Sequence, residues 1–147
     1  MRMEEDKLLV RKIKNGSVID HIKAGNGLKV LDILKITPDN TAVVMLNVQS
    51  KRFGKKDIVK IENKELNNFE INKIAILAPN ATLNIIKDWK VVDKKKIMMP
   101  KIVEGILKCP NSNCITNYEP VKTRFCVEER GLRCWYCERI FRVNEVI

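Results

Sequence analysis

Cys109-Pro110-Asn111-Ser112-Asn113-Cys114 and, nineteen residues further on, Cys134-Trp135-Tyr136-Cys137 divide this 147-residue chain in two. Each pair needs a tight turn to aim two sulfurs at one point, and the residues between the first pair are turn formers. Four thiolates so spaced predict a closed tetrahedral site of the kind Zn²⁺ occupies in structural centres, one ion per chain. A C-terminal unit of about 50 residues is too small to rest on an apolar core alone, and a metal staple supplies what is missing. Two disulfides are the bland alternative and a redox C-x-x-C the weaker one. Cys126 stands between Phe125 and Val127 in a strand-like stretch and reads as a small buried hydrophobe outside the site. The residues before Cys109 include no cysteine and must fold by burial alone.

The composition is that of a globular protein, 45% hydrophobic and 31% charged. No run approaches the ~18 consecutive apolar residues of a membrane span, and residues 1–7 (MRMEEDK) have no apolar signal segment. Both absences lead to an expectation of a cytoplasmic protein with no membrane partner. The formal charge of +10 is uneven: residues 1–99 carry 20 basic and 12 acidic groups, residues 100–147 carry 8 and 6. Four zinc-bound thiolates would take the second part to about neutral. The positive charge thus belongs to the first part, where it suits an anionic ligand, while many of its lysines simply solvate the surface.

Periodicity supplies the elements of that first part. Residues 7–14 (KLLVRKIK) read as a short β-like run ending at Asn15-Gly16, and residues 18–22 (VIDHI) as a second apolar piece. Residues 28–36 (LKVLDILKI) carry apolar groups at helical spacing and stop at Thr37-Pro38-Asp39-Asn40. Residues 41–48 and 56–62 read as two strands of a hairpin, residues 67–78 as a second amphipathic helix, and residues 81–93 (ATLNIIKDWKVVD) as one long final strand. The expected class is α+β: a ferredoxin-like βαββαβ domain over residues 1–97, its helices on one face of an antiparallel sheet, then a small, mostly β zinc-binding domain over residues 98–147. Lys56, Lys60 and Lys94 with His21 near a sheet rim could receive phosphates, leaving Asp20 for sugar hydroxyls. No glycine-rich phosphate loop is present.

Four stretches carry a resemblance: residues 16–22 (GSVIDHI), 54–63 (GKKDIVKIEN), 78–84 (APNATLN) and 109–114 (CPNSNC). As a set, and in this order over nearly the whole chain, they resemble the regulatory chain of aspartate carbamoyltransferase. The resemblance implies a noncatalytic subunit of pyrimidine biosynthesis that binds the effectors CTP, UTP or ATP. It implies regulatory dimers, three of which link two catalytic trimers. The nucleotide site it implies comprises Val10, Asp20, His21, Lys56, Lys60, Asn84, Ile86, Val91 and Lys94, with backbone groups at Ile13, Ile86 and Trp89 reading the base. Lys94 and His21 would face phosphates, Asp20 and Lys60 the ribose. Arg11 stands where relatives commonly place an acidic residue, and Trp89 where a tyrosine is usual.

Two other functional classes compete. A nucleic-acid-binding zinc-ribbon protein would concentrate basic and aromatic residues on one face, yet the zinc unit is almost neutral and the chain only 5% aromatic. An independent enzyme would need an open metal position or an assembled base and nucleophile, and the chain has one histidine and a four-thiolate site with no open position. The expectation is therefore a regulatory subunit, with no catalytic residues and no nucleic-acid partner.

Overall fold

A computed structural model describes residues 12–51 and 54–146. Strands β1 (Gly16–Lys23), β2 (Ala42–Ser50), β3 (Gly54–Glu62), β4 (Thr82–Lys87) and β5 (Lys90–Lys96) form one antiparallel sheet in the order β2-β3-β1-β4-β5. Helix α1 (Gly27–Ile33) connects β1 to β2, and α2 (Asn68–Leu77) connects β3 to β4. The first four strands have the order of the split βαβ plan, with β5 added at one edge. A second antiparallel sheet, β6 (Ile102–Glu104), β7 (Arg124–Glu128), β8 (Gly131–Cys134) and β9 (Ile140–Phe141), follows with a single 3₁₀ turn at Ile115–Asn117 and a short helix α3 (Val143–Val146). The α+β class with a small β unit at the C-terminal end is as the sequence reads.

Strand alternation divides the large sheet into two faces. Ile19, Val59, Ile61 and Leu83 point to the helices and are at most 2% exposed, packed with Val30, Leu34, Ile74 and Leu77. Their alternating neighbours Val18, Asp20, Ile58, Lys60 and Asn84 lie on the face that no helix covers. The alternation is interrupted three times, once on β5, where Val92 is the extra residue, and twice beside β3. Asp20 and His21 together oppose Ile58, and Leu46 and Asn47 together oppose Asp57, so β3 runs between a bulge on β1 and a bulge on β2. His21 and Asn47 both take φ near +59° at these bulges. Without the first bulge Ile22 would turn outward; with it, Ile22 returns to the core, fully buried.

Three expectations need correction. The final strand is not continuous over residues 81–93: it folds back at Asp88-Trp89, where both residues have positive φ (50° and 69°) and Lys87 pairs with Lys90. That backbone is the one a two-residue primed hairpin turn requires, here made without the usual glycine or asparagine. The first helix ends at Ile33 rather than at residue 36, since Lys35 at φ +46° turns the chain out. The β-like run over residues 7–14 falls mostly outside the described residues, and its described part, residues 12–14, is not a strand.

Two apolar clusters sit under the two sheets, and α2 serves both. Ile74 and Leu77 belong to the first cluster, whereas Ile76, about 200° round the helix from Ile74 at 3.6 residues per turn, is packed with Val103, Leu107, Phe125 and Leu132 of the second. Helix α2 begins with a capping box: the Asn67 side chain accepts from the Glu70 N–H (2.8 Å), and the Glu70 carboxylate accepts from the Asn67 N–H (3.2 Å). Replacing Asn67 with Ala removes the side-chain half of the box, leaving the Glu70 N–H without its acceptor, and should lower stability by about 1 kcal/mol, with Asn67→Asp recovering most of it. Denaturant titration of the first sheet checks this.

Candidate functional site

The thiolate site is assembled from two turns. In the first, the Asn111 side chain accepts from the Asn113 N–H (3.0 Å) and the Cys114 N–H returns to the Asn111 carbonyl (3.0 Å). The Asn117 amide then ties the turn down, donating to the carbonyls of Cys109 (3.2 Å) and Asn111 (2.8 Å). In the second, the Glu138 N–H donates to the Cys134 carbonyl (2.9 Å), with Glu138 at φ +63°. The outcome is four sulfurs, all within 4.8 Å of one another.

Cys109 and Cys137 sulfurs are 3.7 Å apart, Cys114 and Cys134 sulfurs 3.8 Å. A disulfide needs about 2.05 Å, so neither pair is bonded. A tetrahedron of sulfurs at the ~2.3 Å Zn–S distance has edges of about 3.8 Å, which the two measured separations meet. Cys109, Cys114 and Cys134 are buried and Cys137 half-buried. Cys126 lies on β7 opposite Ile102 and Arg133, outside the cluster, as its sequence context suggests.

Protonation agrees with a cation-binding role. Burial pushes the Cys109 and Cys134 thiols up. Burial also acts on Cys114 and Cys137, but there hydrogen bonds prevail. The Thr116 hydroxyl, 3.2 Å from its sulfur, lowers Cys114, and the Arg139 N–H and the Asn111 side chain bring Cys137 down to about 7. The cluster thus pairs two sulfurs whose pKa falls with two whose pKa rises, and a metal must displace the protons of the latter. The four cysteines fit Zn²⁺, and the centre they make is structural, since four protein thiolates complete a tetrahedral shell.

The second candidate lies on the open face of the large sheet. Lys60, Val18, Asn84 and Lys94 stand in register across β3, β1, β4 and β5. A cavity of about 370 Å³ opens over this row, lined by Ile13, Asp20, Lys60, Asn84, Ile86, Trp89 and Val91 of the expected set. Lys12, Val18 and Ile58 line it too and were not expected. Strand alternation would have found the last two, which lie two residues from Asp20 and Lys60. Lys56 reaches the Asp20 carboxylate from the rim (2.9 Å). Burial lowers the pKa of Lys60, with Asp20 opposing that effect and Lys12 adding to it.

Two expected residues stand elsewhere, and a third lies outside the described residues. His21 lines a separate cavity of about 620 Å³ with Lys23, Lys55 and Pro79. Its Nδ1 is 3.2 Å from the Thr82 hydroxyl and 4.0 Å from Asp20. Lys94 is exposed on β5 and does not line the first cavity. Val10 lies outside the described residues. The Asp88-Trp89 turn is fixed against the segment before β1 by the Trp89 N–H to the Lys14 carbonyl (2.9 Å) and the Asp88 N–H to the Asn15 side chain (3.1 Å). An aromatic ring, apolar walls, an amide, a carboxylate and several ammonium groups around one space suit a flat heterocycle carrying a sugar and an anion.

Comparison with known proteins agrees over nearly the whole length. Residues 8–98 match the family described as aspartate carbamoyltransferase regulatory chain, allosteric domain, and residues 101–147 match its metal binding domain. The regulatory chain of Thermococcus sibiricus is 51% identical over 144 residues, 96% of each chain. That of Pyrococcus abyssi is 52% identical over 147 residues, covering 96% of this chain and 97% of the relative. That of Methanoculleus marisnigri is 52% identical over 138 residues, covering 92% and 89%.

Replacing Cys134 with Ser should abolish stoichiometric zinc and unfold the second sheet while the first keeps its structure, because metal binding carries much of the folding free energy of so small a unit. Elemental analysis together with hydrogen exchange reads both effects. Full zinc content with unchanged protection of residues 124–134 would contradict this assignment.

Proposed function

The chain belongs to the aspartate carbamoyltransferase regulatory chains, and from that premise we propose that it binds CTP, UTP or ATP in the groove over β1, β3 and β4 and transmits their binding to catalytic trimers. It is a noncatalytic subunit, with the catalytic chain as its partner. The observation that carries the effector reading is the convergence of Asp20, Lys60, Asn84 and Trp89 on one cavity. The ring of Trp89 stacks on the base, and Asn84 and the backbone at Ile13 and Ile86 select it. Asp20 and Lys60 hold the ribose, Lys56 and Lys94 receive the phosphates from the rim, and His21 meets a triphosphate that extends past Asp20 into the neighbouring cavity. Ammonium groups neutralise a triphosphate, while strand-edge amides and carbonyls distinguish base edges.

In this reading residues 1–97 form the effector domain and residues 98–147 the zinc domain that docks the catalytic chain. Three regulatory dimers join two catalytic trimers in the cytoplasm. Support for docking comes from the apolar surface of the zinc unit, where Ile115, Tyr118, Trp135 and Tyr136 are 41–71% exposed. Support for self-pairing comes from the two edges of the large sheet. Strand β5 is exposed throughout and carries Lys90, Lys94, Lys95 and Lys96, which guard an edge against pairing. Strand β2 presents Val43, Met45 and the 47%-exposed Leu46 with no lysine between Ala42 and Ser50.

A regulatory chain alters chemistry only by binding two states of its partner unequally, so the effector must act through the contact between the two units. That contact is Ile76 in the second core and the segment from Ile97 to Ile106, where the Ile97 N–H donates to the Ala81 carbonyl (2.8 Å) and the Val127 N–H to the Lys101 carbonyl (2.9 Å).

Two substitutions separate binding from transmission. Lys94→Ala should weaken CTP by about 1.5–3 kcal/mol, the range for a hydrogen bond to a charged group, and cytidine far less. Ile76→Ala should leave CTP affinity intact and reduce the nucleotide response of carbamoyl-aspartate formation in the assembly. Calorimetry and activity measurements check both. An intact assembly that binds none of CTP, UTP and ATP would end the effector reading.

A further inference from the structure

The most completely buried acidic group among the described residues lies beneath the effector groove rather than in it. Asp57 is 0% exposed and points from β3 toward the helices. Its Oδ2 accepts from the backbone N–H of Gly25 (3.0 Å) and of Gly27 (2.9 Å), and its Oδ1 from that of Asn47 (2.9 Å). Each of those donors would otherwise be stranded. The Asn47 N–H belongs to the β2 bulge, where the ladder is broken. The Gly27 N–H opens α1, whose own N-cap residue, Asn26, makes no side-chain capping bond. Gly25 belongs to the turn that leaves β1. One carboxyl thus ties the end of β1, the start of α1 and the bulge of β2 to β3.

We infer that Asp57 is the positioning residue of the effector site, acting through the two bulges that flank it; this inference rests on the effector reading above. Because consecutive strand residues face opposite ways, burying Asp57 forces Lys56 onto the open face, where its ammonium meets Asp20. The β1 bulge that holds Asp20 and His21 closes at Ile22, the residue paired with Asp57. Lys56, Asp20 and His21 therefore take their places from the backbone that Asp57 holds. Asp57 also reaches edge strand β2 through Asn47, so the rim of the groove and the edge proposed for self-pairing share one anchor.

The site leaves no room for another arrangement. A Cβ on Gly27 would come within 2.8 Å of the Asp57 Cβ and 2.9 Å of its Oδ2, so Gly27→Ala displaces the carboxyl without altering any charge. Asp57→Asn keeps the shape but turns an N–H group toward at least one N–H donor. The chain has one histidine, so the His21 ring gives a single imidazole resonance that reports on the β1 bulge.

The experiment measures CTP and cytidine affinity by calorimetry, and the His21 ring resonance by NMR, on zinc-loaded full chain carrying Asp57→Asn or Gly27→Ala, below the melting temperature of each. Both variants should lose about tenfold in CTP affinity, with a much smaller loss for cytidine, and both should move the His21 resonance. Variants that melt lower yet bind CTP within about twofold of wild type, with the His21 resonance in place, would reduce Asp57 to a core polar group and overturn the inference. Should Asp57→Asn fail to fold, Gly27→Ala decides alone. Wild-type chain that fails to bind CTP would sink the effector reading instead, and the His21 resonance would still decide whether Asp57 holds the bulge.

Discussion

Four sulfurs within 4.8 Å of one another repel as thiolates and waste buried polar groups as thiols, so the second sheet keeps its shape only around a shared cation. Its strands are two to five residues long, and three of the four ligands sit inside its apolar cluster beside Phe125 and Leu132. Metal and core are one object here. Any surface the unit offers to a catalytic chain exists because the cation holds Cys109–Cys114 against Cys134–Cys137, and Trp135 and Tyr136 stand on the second of those turns.

The large sheet solves a different problem. One face is spent on burial against α1 and α2, leaving the other free to carry lysines, an aspartate and an asparagine at alternating positions without breaking the core. Bulges on β1 and β2 flank Asp57, which accepts from the Asn47 N–H in the second and from Gly25 and Gly27 just beyond the first. Helix α2 then connects this sheet to the metal unit, since Ile74 and Ile76 face two different cores. The two cores therefore adjoin through packed side chains of one helix.

What the sequence disclosed follows the range of each interaction. The metal centre is local: two turns with sulfurs at fixed spacing read directly from residues 109–137. Asp20 and Lys60 were legible as polar groups set within strands, and Asn84 only through the family resemblance; alternation, which is local too, would have added Val18 and Ile58. The Asp88-Trp89 reversal was hidden because neither residue is the glycine that positive φ favours, and it is held by bonds to Lys14 and Asn15, more than seventy residues away. The bulges were equally hidden, since pairing against β3 defines them. They are what carries His21 away from the groove that Asp20 lines.

In the proposed function zinc makes the docking unit and docking makes the regulation. The most direct measurement mixes this chain with matching catalytic trimers and follows the mass of the assembly before and after a mercurial strips the metal. The expected result is a twelve-chain assembly that falls apart on stripping into trimers still forming carbamoyl-aspartate and no longer responding to CTP or ATP. Metal-free chain that still holds two trimers together would contradict it.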